Sequence, residues 1–190
     1  MSWVERLRAF FQEIEAPLSV ILNAEGCREG WIQGELFRHF RPTDPSFNVN
    51  CSHASKRIKH DIVNGKPVAL VAELKVYGLR GYCDKNLYGG SLAAYQPSSD
   101  DRRIPVDLDT IVKLEPDRER KSAWKAYWSS YFADVRRLSQ AVDVPERLMI
   151  LVLQKATTID RFGRAILAVQ VSEREHTFDF GQFLLRISAL

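Results

Sequence analysis

The chain has 190 residues, a net charge of +3 and 45% hydrophobic residues, which is enough for one packed domain and excludes global disorder. The weak positive charge permits nucleic-acid binding only if basic residues are concentrated on one face. Three cysteines without a CxxC pair argue against a disulfide framework or a zinc ribbon and suit the cytoplasm.

The first twenty residues are predicted to form an N-terminal helix. Apolar residues recur at helical spacing from residue 3 to residue 15, and Pro17 is expected to end the helix. The charges at Glu5, Arg6 and Arg8 exclude a signal peptide, and no apolar run reaches the roughly 20 residues that span a bilayer. A second helix is predicted over residues 30–40.

Strand patterns follow over residues 47–51, 57–63 and 67–77. Asn64-Gly65 is a strong signal for a hairpin between the second and third of these strands. The run VALVA (residues 68–72) is apolar on both faces, which is typical of a central strand covered on both sides.

The second half begins with residues 78–115, which are rich in Gly, Pro, Ser and Asp and are predicted to form a long insertion after the third core strand. A long helix is expected over residues 117–142, with an aromatic core stripe and a basic, solvated face that includes Arg136 and Arg137. Strands are predicted over residues 148–153 and 165–171, and residues 183–190 fit either a helix or an edge strand. This order predicts a single domain over residues 1–190, of α/β class bordering on α+β.

The candidate site lies on the predicted hairpin. Side chains alternate along a strand, so Glu73 and Lys75 share one face, while Ala72 and Leu74 point the other way. Asp61 lies across the turn and is expected to converge with Glu73. Two carboxylates about 4 Å apart repel by roughly 4 kcal/mol at an effective dielectric of 20, and a bound Mg²⁺ would offset this cost. Lys75 would then orient or help deprotonate a water molecule, or neutralise an oxyanion.

These residues resemble the motifs of the PD-(D/E)xK nuclease superfamily, with HDIVN (residues 60–64) as the first motif and VAELKVYG (residues 71–78) as the second. The helix GWIQGELFRHF (residues 30–40) is similar to the family's first core helix, which often offers a glutamate, here Glu35. The resemblance covers residues 28–77 and 117–171. It departs from the family at His60, where proline is usual, and at residues 78–115.

The resemblance implies a restriction-endonuclease-like core, in which a mixed central sheet is flanked by helices. It also implies Mg²⁺ or Mn²⁺ as cofactor, bound by Asp61, Glu73 and Glu35, with Lys75 as a further catalytic residue and DNA as the substrate. A homodimer is one arrangement that would cut two strands. Basic residues near the site and in the insertion are candidates for phosphate contact: Lys56, Arg57, Lys59, Arg80 and Lys85.

Two other functions fit the same residues. The domain could bind nucleic acid or a protein partner without catalysis, or it could be an interaction domain with no role on nucleic acid. Glu73 and Lys75 would then be an ordinary charge pair at a strand end. Salt-sensitive DNA binding without metal dependence would favour the inactive binding module, and failure to bind any DNA or RNA at low salt would favour the interaction domain.

Overall fold

The protein folds into a mixed sheet flanked by helices. The computed structural model describes residues 1–24, 28–53, 58–77, 104–105, 131, 134–155 and 169–190. Three helices precede the sheet in the chain: α1 (Trp3–Glu13), α2 (Glu15–Asn23) and α3 (Arg28–Phe40). A fourth helix, α4, is described at residue 131 and at residues 134–140.

The strands form one main sheet and one short ladder. Their bounds are β1 (Asn48–His53), β2 (Ile58–Asn64), β3 (Leu70–Tyr77), β4 (Ile104–Pro105), β5 (Glu146–Gln154), β6 (Val169–Gln170), β7 (Arg174–Phe180) and β8 (Phe183–Ala189). The main sheet has the order β1-β2-β3-β5-β8-β7. Within it β3 and β5 are parallel and the other neighbours are antiparallel, while β4 and β6 form a separate parallel ladder. The predicted mixed sheet flanked by helices is confirmed.

Each face of the sheet is covered by different helices. Because strand side chains alternate, Leu148, Ile150 and Val152 of β5 pack with α1, α2 and α3, whereas Met149 packs with α4 on the opposite face. The strand is therefore apolar on both faces, as expected for a central strand. The parallel pair β3–β5 lies between the helical layers and positions the polar residues described below.

The N-terminal helix is divided into two. Helix α1 ends at Glu13, Ile14 lies between the helices, and α2 begins at Glu15 with Pro17 inside its first turn. The helix predicted from apolar spacing over residues 3–15 is confirmed by α1, but the expectation that Pro17 ends the helical segment was wrong, because α2 continues past Pro17. The first turn of a helix has backbone N–H groups without an intrahelical acceptor, so a proline there costs no hydrogen bond.

The β2–β3 hairpin is confirmed, but its connection is longer than the Asn64-Gly65 pair suggests. Residues 65–69 join the strands, and the Ala69 amide donates to the Asn64 carbonyl at 2.8 Å. Gly65 has a φ of 99°, and a Cβ atom there would lie 2.6 Å from the Pro67 carbonyl oxygen. The connection therefore needs glycine at this position.

The C-terminal segment is an internal strand. Strand β8 lies between β5 and β7, so neither the helix nor the edge strand considered for residues 183–190 is found. Phe183, Leu185 and Ile187 enter the core on one face, while Arg186 and Ser188 are buried on the other. The edge strand on this side of the sheet is β7, whose polar sequence (REHTFDF) does not resemble a typical strand.

Several predictions concern residues outside the described ranges. The insertion predicted over residues 78–115 is described only at β4, and the strand predicted over 165–171 only at residues 169–171. Of the long helix, Tyr131, Val135 and Leu138 are buried as predicted, but the helix has ended before Val142, which is 76% exposed. Among the described helices, none has both the length and the apolar character to cross a membrane.

Candidate functional site

Glu73 and Lys75 lie on the face of β3 that α4 covers. The predicted alternation is confirmed, since Ala72, Leu74 and Val76 pack in the opposite core with α1, α2 and α3. Glu73 is only 1% exposed. A charged residue so deeply buried needs compensating partners, and the chain supplies them from β2 and α4.

Glu73 is held by two donors. The His60 Nδ1 atom lies 2.8 Å from Glu73 Oε1, and Arg137 of α4 forms a two-point contact, with Nε 3.1 Å from Oε1 and Nη2 3.0 Å from Oε2. An ionised carboxylate only accepts hydrogen bonds, so His60 Nδ1 carries the proton in this contact. Burial alone would raise the pKa of Glu73, but the hydrogen bonds from His60 and Arg137 outweigh it and lower the pKa.

Lys75 is also paired on both sides. Its Nζ atom lies 2.9 Å from Asp134 Oδ2 of α4 and 3.5 Å from Glu29 Oε2 of α3. Burial would lower the pKa of Lys75, but the negative charges of Asp134 and Glu29 outweigh burial and raise it. Lys75 therefore carries a full positive charge at neutral pH.

Asp61 lies where β2 departs from regular pairing. Val49 pairs with Ile62 and Cys51 pairs with His60, but the β1–β2 pairing is interrupted between these two pairs. Asn50, opposite Asp61, has a φ of 50°. The Asp61 carboxylate accepts one hydrogen bond from the Leu74 amide (2.7 Å). It accepts another from Gln33 of α3 (2.9 Å). The Asp61 side chain thus accepts a backbone hydrogen bond from β3 and links β3 to α3 through Gln33.

The environment of Asp61 disfavours its ionised form. Burial raises the pKa of Asp61 to about 7; the Leu74 amide acts against this, and the charge of Glu73 adds to it. Asp134 behaves similarly, since burial raises its pKa to about 6 against the opposing effect of Lys75. Burial is the main cause of both shifts, and the neighbouring charge of Glu73 adds to each of them.

Six charged residues from four elements therefore meet at β3, and we call them the β3 charge cluster: Glu29, Asp61, Glu73, Lys75, Asp134 and Arg137. The sequence predicts the convergence of Asp61, Glu73 and Lys75, and the charges of Glu73 and Lys75 do act on Asp61. Sequence reasoning missed Glu29 and Asp134. It also placed Arg137 on a solvated face.

Glu35 is not drawn toward this cluster by its contacts. Its carboxylate pairs with Arg38 on the same helix, with Arg38 Nη2 2.6 Å from Glu35 Oε2. The α3 residues that reach the cluster are Glu29 and Gln33, which are four apart and so share a helix face. That spacing was available in the sequence as a signal; the choice of Glu35 rested on the resemblance.

The predicted nucleic-acid contacts are described only in part. Lys59 is exposed on β2, one residue before His60. Lys56, Arg57, Arg80 and Lys85 lie outside the described residues.

The carboxylate oxygens of the cluster are possible ligands for a divalent cation, provided that they have acceptor positions to spare. A carboxylate offers about four acceptor positions; Glu73 uses three for His60 and Arg137, and Asp61 uses two for Gln33 and Leu74. Both acids thus keep free acceptor positions. In the described part of the chain, no three His, Cys, Asp or Glu side chains are arranged to hold a metal ion. A cation here would rely on two protein carboxylates with water or phosphate, which suits Mg²⁺.

Comparison with known proteins adds no relative: no family model, no curated protein and no solved structure matches this chain.

Proposed function

We propose that this protein is a metal-dependent phosphodiesterase that acts on DNA, with Asp61 and Glu73 binding Mg²⁺ or Mn²⁺ and Lys75 assisting the attacking water. The observation that carries the proposal is the meeting of these three residues in a partly buried cluster, where burial raises the pKa of Asp61 to about 7. Burial disfavours the ionised form of Asp61, and a divalent cation bound beside it would favour that form.

The charge count of the cluster supports a divalent ion. Four carboxylates face two permanent cations, Lys75 and Arg137. When all four acids are ionised, these six residues carry two excess negative charges, which one Mg²⁺ or Mn²⁺ would neutralise. Such an ion would lower the pKa of a bound water and offset charge on a phosphoryl oxygen.

Lys75 acts in this proposal through its charge. Its pKa is raised by Asp134 and Glu29, so it does not lose its proton near neutral pH and is unsuited to act as a general base. A fixed ammonium in a partly buried site stabilises negative charge that develops on a phosphoryl oxygen. The Asp134 contact holds Nζ in one position for that task.

The order of elements also supports the proposal. The chain passes from α3 through the hairpin that carries both motifs to α4 and then to β5, parallel to β3. A mixed sheet between helices is the core that the PD-(D/E)xK resemblance implies. The resemblance rests on residues 60–64 and 71–78, and residues 60–64 and 71–77 lie on the neighbouring strands β2 and β3.

The proposal is tested by titrating Mn²⁺ into the wild type, Asp61→Asn and Glu73→Gln by calorimetry. Asp179→Asn is the matched control. Asp179 lies on the edge strand β7, its side chain is 68% exposed, and it pairs with Lys155. Binding by the wild type and the control, but by neither site variant, would support the site. Equal binding by all four proteins would place the metal elsewhere and overturn the proposal.

A second function is favoured by the contact between Arg137 and Glu73. Because Arg137 and His60 already occupy most of the Glu73 carboxylate, the same domain could bind nucleic acid or a protein without turnover. DNA affinity that falls steeply with salt and does not change on addition of EDTA or Mg²⁺ would favour this binding module. A lack of DNA and RNA binding at low salt would instead indicate a protein-interaction domain.

A further inference from the structure

Arg137 covers both carboxylate oxygens of Glu73. Its guanidinium makes parallel contacts of 3.1 and 3.0 Å to the two Glu73 oxygens, and it also contacts Asp134 one helical turn earlier. A planar guanidinium matches a carboxylate through two such hydrogen bonds, and it matches a phosphate equally well. Glu73 therefore already has a permanent counter-cation from α4.

The other charges around Arg137 are fixed more firmly than Arg137 itself. The side chains of Glu73 and Asp134 are 1% and 2% exposed, whereas that of Arg137 is 39% exposed. Lys75 holds the second Asp134 oxygen at 2.9 Å. Among Glu73, Lys75, Asp134 and Arg137, the Arg137 side chain therefore has the widest access to solvent. Its flexibility lets the guanidinium move away from Glu73 while the carboxylates stay in place.

Simultaneous contact of a divalent cation and the Arg137 guanidinium with Glu73 would be electrostatically unfavourable. Both are positively charged, and at contact distance in a partly buried site they repel strongly. Three of the roughly four acceptor positions of Glu73 are already in use, two of them by Arg137. Release of Arg137 would free both positions and remove the repulsion together.

We infer that Arg137 is an internal counter-cation of Glu73, which a divalent metal ion displaces when it binds to Asp61 and Glu73. The inference rests on the proposed function, since it takes Glu73 to be a metal ligand. Arg137 is a positioning residue in this scheme: it keeps the Glu73 carboxylate ionised and oriented until the metal arrives. The displaced guanidinium is then free to contact an incoming phosphate.

The test is a calorimetric titration of Mn²⁺ into the wild type and Arg137→Met, which keeps an unbranched side chain but lacks charge and donors. Arg136→Met is the matched control, because Arg136 is the exposed neighbour on α4 and its removal changes the net charge equally. We expect Arg137→Met to bind Mn²⁺ at least tenfold more tightly than the wild type, and Arg136→Met to bind it within about twofold. The gain should disappear when Arg137→Met is combined with Glu73→Gln.

The outcomes separate this inference from the proposed function. If the wild type binds Mn²⁺ through Asp61 and Glu73 but Arg137→Met binds equally or more weakly, displacement is wrong and the metal site stands. If neither protein binds Mn²⁺, both proposals fall; binding by Arg137→Met alone supports both. Should Arg137→Met not fold, Arg137→Lys replaces it: lysine lacks the planar fork, so its affinity should exceed that of the wild type, and equal or weaker affinity would overturn the inference.

Discussion

Replacing Asp61 with asparagine should stabilise the metal-free protein at neutral and alkaline pH. The carboxylate is partly buried near Glu73 and Asp134, and this environment raises its pKa from 3.8 to about 7. An acid whose pKa is higher in the folded state costs stability as the pH rises, because the unfolded chain releases the proton first. The loss begins near pH 3.8 and is complete above about pH 7.

The size of the effect follows from that difference in pKa. At about 1.4 kcal/mol for each pH unit, the rise amounts to roughly 4 kcal/mol of lost stability above pH 7. The neutral amide avoids this cost, and its carbonyl oxygen can still accept from the Leu74 amide. Allowing about 1 kcal/mol for an altered hydrogen bond with Gln33, we expect Asp61→Asn to be more stable by about 3 kcal/mol at pH 8.

Urea denaturation in EDTA at pH 5, 6, 7 and 8 measures this difference directly. The advantage of Asp61→Asn in free energy of unfolding should grow steadily with pH up to about 7 and then level off. Asp179→Asn, at an exposed position, should show no such trend. A variant less stable than the wild type at pH 8, or a gain that does not vary with pH, would refute the conclusion that the partly buried environment of Asp61 disfavours its ionised form.

Three further predictions concern the same hairpin. Glu73→Gln should lower the free energy of unfolding at pH 7 by about 1–3 kcal/mol, since it removes the charged two-point contact between Glu73 and Arg137. Because the pKa of Glu73 is lowered, the deficit measured in urea should shrink as the pH falls below 4.5. The Mn²⁺ affinity measured by calorimetry should fall up to tenfold for each pH unit below pH 7, because protons compete with the metal for Asp61. An affinity that does not change with pH would argue against Asp61 as a ligand. Gly65→Ala should cost about 1–3 kcal/mol by thermal or urea denaturation, because φ is 99° and the new Cβ would lie 2.6 Å from the Pro67 carbonyl oxygen; an unchanged midpoint would contradict this geometry.

The local features of the fold could be read from the sequence. Helix α3, the β2–β3 hairpin and strand β5 each carry a strong periodic or apolar pattern, and all three are present. The alternation that puts Glu73 and Lys75 on one face depends only on strand geometry. These predictions succeeded because each depends on neighbouring residues alone.

The parts that failed depend on tertiary context. The internal position of β8 is set by pairing with both β5 and β7, and β7 is too polar to stand out as a strand. Pro17 ended no helix, because the chain had already begun a new one two residues earlier. Sequence pattern reports the periodicity of a segment but not the partners it will meet.

The cluster shows the same division. Asp134 and Arg137 form an ordinary i, i+3 pair on a helix with a basic face, and nothing local distinguishes such a pair from a solvated one. Their role follows from contacts with Glu73 and Lys75, some sixty residues earlier in the chain. Only the packing of α4 on β3 reveals that these four charges neutralise one another.

Cleavage of DNA by the wild type, Asp61→Asn and Asp179→Asn tests the central claim most directly. Each protein would be incubated with single-stranded, linear duplex and supercoiled DNA, with Mg²⁺, with Mn²⁺ or with EDTA. We predict cleavage that requires the metal, persists in Asp179→Asn and is lost in Asp61→Asn. Because Asp61→Asn should be more stable than the wild type, its inactivity would not be a sign of unfolding. Cleavage that survives Asp61→Asn, or the absence of cleavage of every substrate by a wild type that binds Mn²⁺, would contradict it.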